Sequence, residues 1–173
     1  MRTRTTNKRR SLPFLALPIL AILLALVVSN FLVVLVYVPS GSMADTVPEK
    51  SLLIGSRTAY RERAPIPGDI VLFRHEETGS TWLIKRVIAV SGDTVAIENG
   101  TVYRNGEPLE EPYLSSQAEV SLPPTTVPDG MLFLLGDNRA ASIDARFWEE
   151  PFVSEDSVSA RAVFRLLPRP GRL

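Results

Sequence analysis

Apolar side chains run from Leu12 to Val38 without a single charge, interrupted only by Ser29 and Asn30 as clearly polar positions. About 20 helical residues cross a hydrocarbon core of roughly 30 Å, so this run predicts one transmembrane helix over residues 12–38. Pro13 and Pro18 fall near its start, where a missing amide donor costs least. The alternative is a cleaved secretory signal, whose apolar region is only about 7–15 residues and ends in small side chains. Here the run is longer and closes on bulky Val36, Tyr37 and Val38. A retained anchor is the expectation.

Beyond Pro39 the pattern breaks into short runs of alternating or β-branched residues separated by turn residues. Strands are predicted over Ser51 to Ser56, Asp69 to Arg74, Trp82 to Val90, Thr94 to Glu98, Thr101 to Arg104, Met131 to Leu135 and Val158 to Leu166. Asn99-Gly100 between two of them is a strong hairpin signal. Pro108 to Pro128 is proline-rich and weakly patterned, and reads as an extended surface loop with no fold of its own. No long amphipathic helical period follows the membrane run. The predicted architecture is mainly β, an antiparallel core over residues 39–173 behind one N-terminal helix.

Charge then sets the topology. Of the 19 basic residues, five precede the apolar run, leaving 14 against 19 acidic ones in the rest. Arg2, Arg4, Lys8, Arg9 and Arg10, a basic tail over residues 1–11, should stay in the cytoplasm, with the β domain outside. An acidic domain argues against nucleic acid as a partner. With no cysteine and one histidine, neither a disulfide framework nor a transition-metal site is expected.

Candidate chemistry begins where the apolar run ends. Ser40-Gly41-Ser42 directly follows the apolar run, and taken alone such a turn is more often a flexible exit loop. A serine nucleophile needs a proton acceptor. His75 lies in Arg74-His75-Glu76-Glu77-Thr78-Gly79, which reads as an exposed hairpin tip, a poor place for an oriented imidazole. The lysines are Lys8, Lys50 and Lys85. Lys8 falls across the membrane, and Lys50 beside Glu49 should stay solvated. Lys85 stands in the most apolar strand and shares a face with Leu83, Val87 and Ala89. Burial would lower its pKa and make it a general base; an edge-strand lysine that deters aggregation is the competing reading. A polar cluster, Gly136-Asp137-Asn138-Arg139 with Ser142, Asp144 and Arg146, follows the apolar strand Met131 to Leu135. Asp137 or Asp144 could pair with Arg139 or Arg146, and Ser142 could orient the amine.

At these places the chain resembles the type I signal peptidases, the bacterial leader peptidase family. Pro39-Ser40-Gly41-Ser42-Met43 is similar to that family's P-S-x-S-M motif, and Gly68-Asp69-Ile70-Val71 to its G-D-[IV]-V strand. Lys85-Arg86-Val87-Ile88 with Gly92-Asp93 resembles the box around the base, and Gly136 to Trp148 resembles G-D-N-R-x-x-S-x-D-S-R-x-W. The motifs stand in the family's order, from about Pro39 to Trp148. The single anchor, and the short stretch between Lys85 and Gly136, resemble the Gram-positive form.

The resemblance implies a Ser–Lys dyad, with Ser42 as nucleophile and Lys85 as general base, needing no metal or cofactor. Ser40 and the backbone amide of Ser42 would hold the oxyanion, and Ser142 the lysine amine. Asp137, Arg139, Asp144 and Arg146 would support the loop. Val36, Val38, Val47, Leu83 and Ile84 would wall the substrate site. It further implies preproteins with signal peptides as substrates, the bilayer as a partner, and no obligate protein partner. Asp45 stands where the family often has proline; Ala140-Ala141, Ala145 and Glu149 also depart from its pattern. Other readings of the same features are a dedicated pilus or conjugation peptidase and a non-catalytic anchored β domain. A self-cleaving repressor-type protein would need a DNA-binding domain in place of the anchor.

Overall fold

The computed structural model describes residues 16–75 and 81–173. The expected basic tail, the first residues of the expected span and the run Glu76 to Gly79 lie outside the described residues.

Helix α1 (Ala16–Val27) continues into a π-helical turn, Val28–Leu32, and there the helix ends. The last part of the run expected as helix, Val33–Val38, is instead strand β1. Its sequence, VVLVYV, is mostly β-branched, and such side chains fit a pleated surface better than a helix. It pairs along its whole length with β2 (Ser51–Ser56), Val33 opposite Ser56 and Val38 opposite Ser51. Hydropathy alone cannot separate this strand from the helix before it. Among the described residues no helix is long and apolar enough to cross a membrane. The leucines and isoleucines of α1, Leu17 and Leu24 among them, are exposed.

The strands that follow are β3 (Ile70–Arg74), β4 (Trp82–Val90), β5 (Thr94–Glu98), β6 (Thr101–Arg104), β7 (Glu107–Pro108) and β8 (Leu122–Thr126). After them come β9 (Met131–Leu135), β10 (Phe152–Ser154), β11 (Val158–Leu167) and β12 (Gly171–Arg172). An eight-stranded sheet runs β1-β2-β11-β3-β4-β9-β10 with β12 beside β11, and a four-stranded sheet runs β7-β6-β5-β8. The pairings are antiparallel, as expected for a mainly β core. The stretch expected as a plain loop, Pro108 to Pro128, contributes β8, which pairs β5 at the edge of the smaller sheet. Pro123 and Pro124 are tolerated there because an edge strand has one row of amides with no ladder to complete.

Central β4 is covered on both faces, which explains why apolar side chains flank Lys85 and Arg86 on each side of the strand. One core cluster joins Val71, Phe73, Val87 and Ala89 to Val95, Ile97 and Val102 of the smaller sheet. The other packs Val38, Met43, Val47 and Leu53 against Ile70, Leu72 and Ile84. Lys85 stands between these layers on the face of Leu83 and Val87, flanked by β3 and β9.

Candidate active site

Between β1 and β2 the chain makes a tight turn carrying Ser40 and Ser42. Ala44 donates to Gly41 O at 3.0 Å and Val47 to Met43 O at 2.6 Å, while Lys50 closes the turn onto Val38 O at 2.8 Å. Met43 and Val47 are fully buried and pin the turn to the core. Ser40 and Ser42 remain accessible and line a cleft of about 140 Å³ with Val36, Val38, Leu83 and Ile84. Four of the five expected wall residues therefore line the cleft with Ser40 and Ser42. Val47 does not: it belongs to the turn itself and is buried in the second core cluster, its amide bonded to Met43 O.

Lys85 is 2% exposed, and its Nζ donates to Ser142 Oγ at 2.8 Å. Burial pushes its pKa from 10.5 down to about 8; Asp144 and Asp137 oppose the shift, and Arg146 adds to it. Roughly a tenth of the amine is then neutral at pH 7, far more than an ordinary lysine offers as a general base. Lys50, by contrast, is exposed.

The loop from Gly136 joins lysine and serine. Asn138 N–H donates to Ser42 O at 3.1 Å, Asn138 Nδ2 to Gly41 O at 2.9 Å, and Asp137 N–H to Met43 Sδ at 3.3 Å. The same loop folds back so that Ser142 N–H reaches Asn138 O at 3.0 Å, aiming Ser142 at Lys85. Gly136 is required at its position: a Cβ there would overlap the Ser142 side chain and lie 2.5 Å from Ser42 O.

Ion pairs hold this loop, partly with other partners than expected. Asp144 pairs with Arg146 at 2.7 Å and accepts from Gly136 N–H at 2.9 Å. Asp137 pairs not with Arg139 or Arg146 but with Arg86, which follows Lys85 on β4; the fork is bidentate at 2.9 and 2.6 Å. Thr46 Oγ1 adds a bond to the same carboxylate at 2.5 Å. Arg139 pairs with Glu111 of the proline-rich stretch. Arg86, Thr46, Asn138 and Glu111 are thus the site residues that sequence reasoning missed. For Arg86 the signal was its place beside Lys85; Glu111 gave none, since its partner lies 28 positions away.

Three of the departures from the family pattern fall in this loop. Ala140 and Ala141 are exposed, and Ala145 is a buried apolar position in the first core cluster. His75 is not the exposed tip expected. It is 7% exposed, its ring stacked on Trp148 at 4.2 Å with Nε2 3.3 Å from Glu150 O. The Trp148 ring, packed edge-on against Phe73 at 6.2 Å, offers a flat apolar surface that draws the imidazole in.

The family described as "Signal peptidase, peptidase S26" matches residues 12–167. "Probable signal peptidase I-1" of Synechocystis sp. is 37% identical over 156 residues, 86% of this chain and 78% of that protein. "Signal peptidase I" of Leptolyngbya laminosa is 36% identical over 156 residues, covering 86% and 76%. "Signal peptidase I" of Bacillus licheniformis is 34% identical over 154 residues, covering 83% and 82%.

Proposed function

The chain belongs to the signal peptidase family, peptidase S26, and on that premise we propose that it cuts preproteins with Ser42 as nucleophile and Lys85 as its general base. Its reaction is the removal of signal peptides by a serine endopeptidase. The observation that carries the assignment of the base is the buried Lys85 amine, held by Ser142 next to the loop that binds Ser42, where burial pushes its pKa down to about 8.

Neutral Lys85 takes the Ser42 hydroxyl proton as Oγ adds to the scissile carbonyl. The oxyanion so formed is held by the Ser40 hydroxyl and the Ser42 N–H, and losing one such donor costs about 100- to 1000-fold in rate. The Lys85 ammonium then passes its proton to the departing amine, the C–N bond breaks and an ester to Ser42 remains. Water, deprotonated by Lys85, attacks that ester and restores the hydroxyl. Ser142 keeps the amine on line throughout.

The substrate binds extended along β1, the edge strand of the larger sheet, which supplies unpaired backbone groups beside the cleft. The cleft's small volume suits small side chains one and three residues before the cut. The apolar, charge-free run through α1 anchors the protein in the membrane with its N-terminus cytoplasmic and the β domain outside. Strand β1 comes after α1 and one π-helical turn, so an anchor through α1 would hold the cleft near the membrane face, where a signal peptide's cleavage site emerges.

Cleavage of a model preprotein by the full chain in detergent tests this. Site-specific cutting by wild type, lost in Ser42→Ala and in Lys85→Ala, is the expected result. Cutting that survives either substitution would overturn the assignment of that residue.

A further inference from the structure

The stretch between β7 and β8 is a strap with both ends on the smaller sheet. Leu109 N–H bonds Val102 O at 2.8 Å as it leaves, a turn closes at Leu114 N–H to Glu111 O at 3.1 Å, and β8 returns the chain to β5. Between those ends it touches the catalytic apparatus at successive residues. Glu111 takes Arg139 in a two-pronged grip at 2.5 and 3.0 Å. Tyr113 lays its ring over the Arg86 guanidinium at 3.9 Å and donates its hydroxyl to Glu111 at 2.6 Å. Ser115 N–H donates to Asp45 Oδ2 at 2.7 Å.

Each of these partners acts on the site. Arg139 Nε holds Gly136 O at 3.0 Å, and Arg139 O accepts from Arg146 at 2.9 Å, so its grip sets both ends of the loop bearing Ser142. Arg86 carries Asp137, whose amide contacts Met43 next to Ser42. Asp45 belongs to the Ser42 turn itself. We infer that Glu111 and Tyr113 are positioning residues, which fix the Ser142 loop and the Ser42 turn against each other through Arg139 and Arg86. The inference rests on the assignment of Ser42 and Lys85 above.

Energetics favour this over a purely structural role. The Arg139 and Glu111 side chains are 3% and 6% exposed, and a pair so buried loses in desolvation much of what it gains in attraction. Apolar packing would hold a strap as well. What the pair adds is direction, because a guanidinium fork admits a carboxylate in a narrow range of geometries. Burial and the Glu111 bond also raise the Tyr113 pKa, so its hydroxyl stays a donor at working pH.

The test is steady-state cleavage of a peptide spanning a signal-peptide junction by the full chain in detergent, with unfolding midpoints measured in parallel. Glu111→Gln, Arg139→Lys, their double variant and Tyr113→Leu are compared with wild type and Ser42→Ala. A misplaced catalytic group costs up to about 100-fold in rate. The expected result is a fall of roughly 10- to 100-fold in kcat in each single variant, with KM within about twofold and the fold intact at assay temperature. The double variant should lose no more than the worse single one, since both cut the same link. Unchanged kcat, losses that multiply in the double variant, or loss seen only through unfolding would overturn the inference. Cleavage persisting in Ser42→Ala would instead refute the nucleophile, whatever the strap variants do.

Discussion

Lys85 Nζ donates to Ser142 Oγ at 2.8 Å, and Ser142 sits on the loop whose Asn138 amide binds the Ser42 carbonyl at 3.1 Å. One loop therefore references the proposed base and the proposed nucleophile to each other. Ser142→Ala should lower kcat by roughly 100-fold with little change in KM, since it frees the amine without touching the cleft. Steady-state kinetics on a model preprotein measures this. An unchanged kcat would mean that Lys85 is aimed by its strand alone.

Gly136→Ala should be as damaging without removing any polar group. The added methyl meets Ser142 and Ser42 O, and no flexible tip is there to yield. Overpacking at such a site costs about 1–3 kcal/mol, so the unfolding midpoint should drop together with activity. Wild-type activity in this variant would show that the loop can shift away from Ser42.

His75→Ala should leave kcat within about twofold while destabilising the fold by roughly 1 kcal/mol, the size of a stacked ring contact. The imidazole packs on Trp148 and faces the Glu150 carbonyl. Denaturant melts and cleavage rates separate the two effects. Activity lost in a folded variant would reopen a histidine-based mechanism.

Lys85→Met should stabilise the protein at pH 7 although it abolishes cleavage. The folded amine titrates at about 8 rather than 10.5, so between these values the unfolded chain holds more protons and wild-type stability rises with pH. The cost of burying the ammonium is fully present below pH 8 and vanishes as pH approaches 10.5. Such a shift corresponds to about 3 kcal/mol. Denaturant melts across this range should show the variant's advantage closing. An advantage that stays constant with pH would mean Lys85 titrates as a solvated amine.

The sequence carried much of this arrangement, and the exceptions have physical causes. Burial of Lys85 was one of two readings that Trp82 to Val90 left open, and the place of β4 between β3 and β9 excludes the other, an edge strand. Strand β1 was hidden because Val33 to Val38 continues the hydropathy of the helix before it, and only its pairing with β2 sets it apart. Strand β8 was hidden by Pro123 and Pro124, which exclude a central strand but not an edge. The Arg86–Asp137 and Arg139–Glu111 pairs join residues far apart in sequence, where spacing carries no signal. Nearby pairs such as Asp144–Arg146 were anticipated because the chain itself brings them together.

Titration of the Lys85 amine in the folded full chain, followed by NMR of the side-chain nitrogen beside the pH dependence of kcat/KM, addresses the role of this residue. The predicted result is one midpoint of about 8 for both, with kcat/KM rising as Lys85 loses its proton. An amine that titrates near its ordinary 10.5 while cleavage is already at its plateau at pH 8 would contradict Lys85 as the base.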